Sequence, residues 1–289
     1  MTTFYDKTGL PKSLAWGFIG VLIFMMGDGI EQTWLSRYIA SQGLDHEVLF
    51  TVYGISVALS AWFSGVIAET IGVRRTMLLG YLVYLVGMAG FAGIGMMGLN
   101  YPVLLVTYAI KGLGYPLFAY TFIVWIAYRV DKNRSSAQGW FWFVFTGGLN
   151  VLGAYYGAYA MERIGVVPTL WSSLVFASVG AMLALWVNKC DDRNLFVGAE
   201  RPNSGTSKFR ELLSGLAIMK REPKVLVGGI VRVINTTSQF AFVVFMPLYL
   251  KDYGIGDTQW ASIWGSIFLF NILFNLIFGI VGDHIGWGR

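Results

Sequence analysis

The chain has 289 residues, 56 % of them apolar and only 13 % charged, and a mean hydropathy of +0.60. An ordinary soluble domain carries roughly 25 % charge, so this balance excludes a soluble one- or two-domain protein. The single cysteine excludes an internal disulfide framework and a cysteine-cluster metal site, and the net charge of +5 gathers into no basic stripe suited to nucleic acid.

A bilayer core about 30 Å thick takes about 20 mostly apolar residues per helix. On that basis the fold class is an all-α integral membrane protein with eight predicted spans. They run Leu14–Tyr38, Val48–Ala68, Thr76–Met97, Tyr101–Tyr128, Ala137–Ala160, Pro168–Val187, Val225–Leu250 and Thr258–Val281. None alternates polar and apolar residues as a barrel strand does. The first span is too long for a signal peptide and has no small-residue cleavage site, so it reads as uncleaved.

The first span carries two acids three residues apart, Asp28 and Glu31, followed by Gln32. That spacing places both acids on one helix face. The second span ends in Gly65, Glu69 and Gly72, followed by Arg74 and Arg75. The fourth carries Lys111 at a depth similar to Asp28, with Tyr115 one turn on and Tyr120 beyond. On the fifth lie Trp142, Thr146 and Asn150.

Residues 188–224 form the one marked shift in composition and read as a cytoplasmic linker, with Cys190 in a reducing compartment and a short amphipathic stretch on the membrane surface. In the seventh span Arg232, Asn235, Thr236 and Gln239 share one helix face. The eighth has Asn271 and Asn275 one turn apart, then Gly279, Asp283, Gly286 and Arg289. This last set repeats the Gly65–Arg75 pattern at identical spacing, so the chain reads as two related halves. An acid closing one helix and arginines opening the next suit a tight cytoplasmic turn.

Lys7, Lys12, Arg74, Arg75, Arg129, Lys132, Arg134, the basic residues of the linker and Arg289 all fall on one side. Only Arg37, Arg163 and Lys251 fall on the other, which predicts a cytoplasmic N-terminus and a cytoplasmic-membrane location. His46 and His284 read as solvated loop residues without the company of a metal ligand, and no nucleophile–base pair or phosphate loop is present. The sequence therefore predicts no enzyme, no metal and no cofactor.

The repeated loop motif resembles the major facilitator superfamily, whose fold implies twelve spans. On that comparison the chain is expected to stop after its eighth span. It would hold a six-helix bundle at 1–187, the linker at 188–224 and the first two helices of a second bundle at 225–289. Within that superfamily, four stretches look like the polyol permeases, the ribitol and arabinitol proton symporters. They are Phe24–Gly29, Lys111–Phe118, Gly139–Trp142 and Val231–Thr236. Glu69 stands where the superfamily usually has Asp, and Lys111 where Arg is usual on the fourth span.

The resemblance implies a monomeric carrier in the bilayer that takes up a polyol with a proton. Asp28 and Lys111 would be the coupling pair; a static buried ion pair is the other reading of the same residues. Glu31, Gln32, Tyr115, Tyr120, Trp142, Asn150, Arg232, Asn235, Gln239, Asn271 and Asn275 are the expected substrate contacts. Carboxamides both donate and accept, which suits a neutral, hydroxyl-rich solute. An organic anion bound by Arg232 is the alternative, and a truncated, non-transporting membrane protein a third.

Overall fold

The computed structural model describes residues 8–130, 133–188 and 221–285; the side chains of Val225, Arg232 and His284 are not among those described. Residues 189–220 of the predicted linker, with Cys190, and Lys7, Lys132, Gly286 and Arg289 therefore lie outside the described residues. All regular structure among the described residues is helical.

A short 3-10 turn at Lys12–Leu14 leads into α1 (Ala15–Gly29). Fifteen residues span only about 22 Å, short of a bilayer core. The predicted first span is thus interrupted: residues 30–34 form turns, and the helix resumes as α2 (Leu35–Ser41). Glu31 and Gln32 sit in this break, where the Glu31 carbonyl accepts from Leu35 N at 3.0 Å.

Asp45 opens α3 (His46–Ile71) by accepting from Val48 N at 3.0 Å. Gly72, at φ 92°, then turns the chain tightly into α4 (Val73–Gly90), a conformation that a side chain would strain. A π turn at Phe91–Gly95 extends that helix. The longest helix of the first half, α5 (Tyr101–Arg129), starts at Asn100, whose side chain accepts from Val103 N.

The predicted fifth span is likewise divided, into α6 (Arg134–Thr146), a π turn at Gly147–Leu152 and α7 (Gly153–Ile164). Such π turns inside helices recur at functional positions, and this one carries Asn150. Next come α8 (Val166–Met182), with a terminal π turn Leu183–Val187, then α9 (Pro223–Lys251) and α10 (Asp257–Ile285).

Among the described residues six helical runs are long and apolar enough to cross a membrane: His46–Ile71, Val73–Gly98, Tyr101–Arg129, Val166–Val187, Leu226–Lys251 and Asp257–Asp283. The predicted first span falls outside this set because turns at residues 30–34 break it; the fifth also falls outside it, although its helix continues through the π turn from Arg134 to Ile164. His46, expected in a loop, is instead the first residue of α3, half-buried with its ring edge toward Phe245.

Packing is closest where glycines let backbones meet. α4 and α5 cross at Gly87 and Gly114, and α1 crosses α8 at Gly20 and Gly180. In lipid the hydrophobic effect does not drive helices together, so such close contact carries much of the packing. A side chain at Gly87 would collide with the Lys111 backbone, whereas Gly54 faces open space. Gly87→Leu should therefore destabilise the protein by about 1–3 kcal/mol or more, read as a lower melting temperature in detergent. Gly54→Ala should leave that temperature nearly unchanged; equal effects would show that the α4–α5 approach is not limiting.

Candidate functional site

The centre of the bundle holds a buried charge cluster. Lys111, mid-way along α5, is fully buried. Its Nζ lies 2.5 Å from Glu31 Oε1 and 3.0 Å from Asp28 Oδ1. A charged side chain inside a span costs at least roughly 2.5–3.5 kcal/mol on insertion scales, and pairing is what makes it tolerable. Three aromatic rings complete the enclosure: the ammonium sits 5.5 Å from the centroids of Tyr53 and Tyr84 and 5.4 Å from that of Tyr108.

Two of the phenols are themselves held. Tyr53 donates to Asp28 Oδ2 at 3.5 Å, and Tyr84 shares a 2.8 Å hydrogen bond with Ser173 of α8.

Beside this cluster lies a cavity of about 510 Å³, within the range of small-molecule sites. Asp28, Gln32, Tyr115, Tyr120, Trp142, Asn150, Asn235, Gln239, Asn271 and Asn275 all line it, so ten of the sequence-predicted site residues converge on one space. Asp28 is the one charged group among the described lining residues. Gln32 brings a buried Oε1 with no hydrogen-bond partner among the described residues, while Asn275 donates to Asn271 Oδ1 at 2.9 Å.

Tyr115, Tyr120, Phe145 and Trp142 form a continuous aromatic wall, with Tyr120 stacked on Phe145 at 5.6 Å. A second, more apolar cleft of about 910 Å³ opens between α3 and α9 and shares Tyr120, Trp142, Thr236 and Phe240 with the first.

Two expected contacts are placed otherwise. Glu31 does not line the cavity but lies behind Asp28 against the ammonium of Lys111, the expected coupling partner, which is not in the lining either. For Arg232 the backbone lies in α9 on the face that carries Gly228, Asn235 and Gln239, and its side chain is not described. Tyr53, Trp264 and Phe268 also line the cavity but carry no signal in the sequence beyond ordinary apolar packing.

At one end of the bundle, Gly65 faces open space and Gly72 makes the α3–α4 turn, with Glu69, Arg74 and Arg75 exposed around it. The corresponding acid of the second copy, Asp283, caps the start of α6. Its carboxylate accepts from Ser136 N at 2.7 Å, Ser136 Oγ at 2.6 Å and Ser135 N at 3.2 Å. At the opposite end Arg37 of α2 pairs with Asp257 at 2.7 Å and donates to the carbonyls of Pro247 and Ile255. Nearby, Thr258 hydrogen-bonds Glu162 of α7.

The sequence pattern of the Major Facilitator Superfamily matches residues 17–289. The chain belongs to the Major Facilitator Superfamily. It is therefore a multi-pass membrane protein of a transporter family, not one of enzymes. The alpha-ketoglutarate permease of Bacillus subtilis (strain 168) is 47 % identical over 98 % of this chain and 64 % of its own length. The D-arabinitol transporter and the ribitol transporter of Klebsiella pneumoniae are each 38 % identical, over 96 % of this chain and 66 % of theirs. The chain thus spans about two thirds of the length of these curated relatives.

The cluster geometry predicts what loss of its cation does. Lys111→Met leaves two buried carboxylates without a counter-charge, and breaking a buried pair in this way costs about 3–5 kcal/mol. The variant should melt well below the parent in detergent; an unchanged melting temperature would show that the cluster is already solvated.

Proposed function

We propose that this chain forms the solute- and proton-binding core of a secondary carrier that takes up a linear sugar alcohol together with a proton. The observation that carries the reading is the cavity: carboxamides, phenols and an indole surround one carboxylate, Asp28, which is ion-paired to Lys111. Neutral amides can donate to and accept from every hydroxyl of a polyol, and the aromatic wall suits its C–H faces. Asp28 accepts the proton on one side of the membrane and releases it on the other. Its interactions with Lys111 differ between the two forms, and that difference is what can bias a conformational equilibrium. The bundles 1–187 and 225–289 would rock about the cavity, as eight spans joined by a cytoplasmic linker at 188–224. In this reading the N-terminus is cytoplasmic, the protein sits in the cytoplasmic membrane, and it works as a monomer.

One observation favours a second reading, uptake of an organic carboxylate. The alpha-ketoglutarate permease is more similar to this chain than the two polyol transporters are, and Arg232 lies on the α9 face that borders the cavity.

Proteoliposomes with an imposed pH gradient test both. The full-length protein should concentrate ribitol or D-arabinitol, and Asp28→Asn should abolish that accumulation while leaving solute exchange measurable. Accumulation of alpha-ketoglutarate alone, lost in Arg232→Gln, would replace the polyol with the carboxylate. Undiminished accumulation by Asp28→Asn would remove its coupling role.

A further inference from the structure

Two carboxylates meet one ammonium in the central cluster, and their surroundings differ. Asp28 lines the cavity, lies 3.0 Å from Lys111 Nζ, and receives the Tyr53 hydroxyl at 3.5 Å. Glu31 is walled off from the cavity and lies 2.5 Å from the same Nζ through Oε1, while its Oε2 is buried with no hydrogen-bond partner among the described residues. It sits at the break between α1 and α2, where the turn at residues 30–34 sets its backbone. The charged and titratable groups around it are Asp28 of α1, Tyr53 of α3, Tyr84 of α4, and Tyr108 and Lys111 of α5.

A pair made of one acid and one base has a difficulty as a proton site in lipid. When the acid takes a proton, the buried cation is left without a counter-charge, the most unfavourable state of such a pair. A second acid that stays ionised removes that state. The cluster then alternates between one net negative charge and none, and the ammonium is paired throughout. Charge-assisted hydrogen bonds near 2.5–2.9 Å are the strong ones, and Glu31 has the shorter bond and the less accessible position. Asp28 has the longer bonds and the open path to the cavity.

We propose that Glu31 is the standing counter-ion of Lys111, a positioning residue that frees Asp28 to exchange its proton with the cavity. The inference deepens the proton-coupled reading and rests on it for its physiological meaning, but its test requires no solute. Glu31 does not touch the transported molecule in this arrangement. It acts through Lys111, by keeping the ammonium occupied when Asp28 becomes neutral and by repelling the Asp28 charge when it does not.

The experiment is a pH titration of the purified full-length protein in lipid, followed by the infrared C=O stretch of protonated buried carboxyl groups. The parent should show such a band, and Asp28→Asn should lose it. Glu31→Gln should keep the band but require at least ~10-fold more protons for half-protonation, because Asp28 is then the only counter-charge of Lys111. Glu31→Asp should return the midpoint toward that of the parent.

A band that survives Asp28→Asn and vanishes in Glu31→Gln would overturn the proposal by reversing the roles. A midpoint unmoved in Glu31→Gln would overturn it by reducing Glu31 to packing, and absence of any band in the parent would overturn it outright. Should Glu31→Gln fail to fold, the Asp28→Asn arm still decides which acid titrates. Because no solute is present, a carrier that moves no proton with a polyol fails the transport assay without altering this result.

Discussion

The ammonium of Lys111 sets the terms for the rest of the bundle. A buried lysine must be neutralised and enclosed, and each requirement recruits a different helix. Asp28 and Glu31 come from α1 and its break, Tyr53 from α3, Tyr84 from α4 and Tyr108 from α5 itself. Such an assembly needs close backbones, and Gly87 lets α4 lie directly against the Lys111 backbone. The network reaches further through Tyr84, whose hydroxyl meets Ser173 on α8. Five helices are thereby tied to one cation, and movement of any of them alters its environment.

A second constraint lies at the ends of α10. Near its start, Asp257 is held by Arg37 and Thr258 by Glu162; near its finish, Asp283 caps α6. A carboxylate at a helix N-terminus both satisfies backbone N–H groups left without partners and meets the positive end of the helix dipole. The helix is therefore fastened at both its ends to helices of residues 15–164, with Asn271 and Asn275 presented to the cavity between them. By contrast α9 has much of its apolar surface exposed and touches those helices lightly, chiefly through α2. A wall of fixed amides on α10 faces a looser wall of amides on α9.

Much of this was legible in the sequence because polar residues in apolar spans have few places to go. Asp28 and Lys111 match in depth, and the stripe of α9 and the Asn pair of α10 follow the helical period; Asn235, Thr236, Gln239, Asn271 and Asn275 line the cavity, and the Arg232 side chain is not among those described. Other features escape such reasoning. A three-residue spacing puts Asp28 and Glu31 together, but only the turn at residues 30–34 separates one toward the cavity and the other behind it. Tyr53 reads as an ordinary aromatic in an apolar run until α5 brings Asp28 and Lys111 within its reach. Arg37 counts in a charge tally as an outer-side loop residue, whereas its partners lie more than two hundred positions away. Long-range pairing of this kind has no periodic signature.

The electrostatics of the cavity also separate the two solute classes. Lys111 is close by, but its charge is already met by two carboxylates, so the cluster as a whole presents a negative face while Asp28 is ionised. A second anion about 4 Å from that carboxylate would be opposed by roughly 4 kcal/mol at an effective dielectric of about 20. A polyol would meet no such opposition, and Gln32, Asn150 and the amides of α9 and α10 line the cavity that the proposed function assigns to it. For a carboxylate, by contrast, protonation of Asp28 becomes a condition of entry and Arg232 must supply the attraction. In the proposed carrier the same cluster would serve either solute, but through different physics: with a polyol the proton would bias the conformational equilibrium, and with an anion it would first admit the solute.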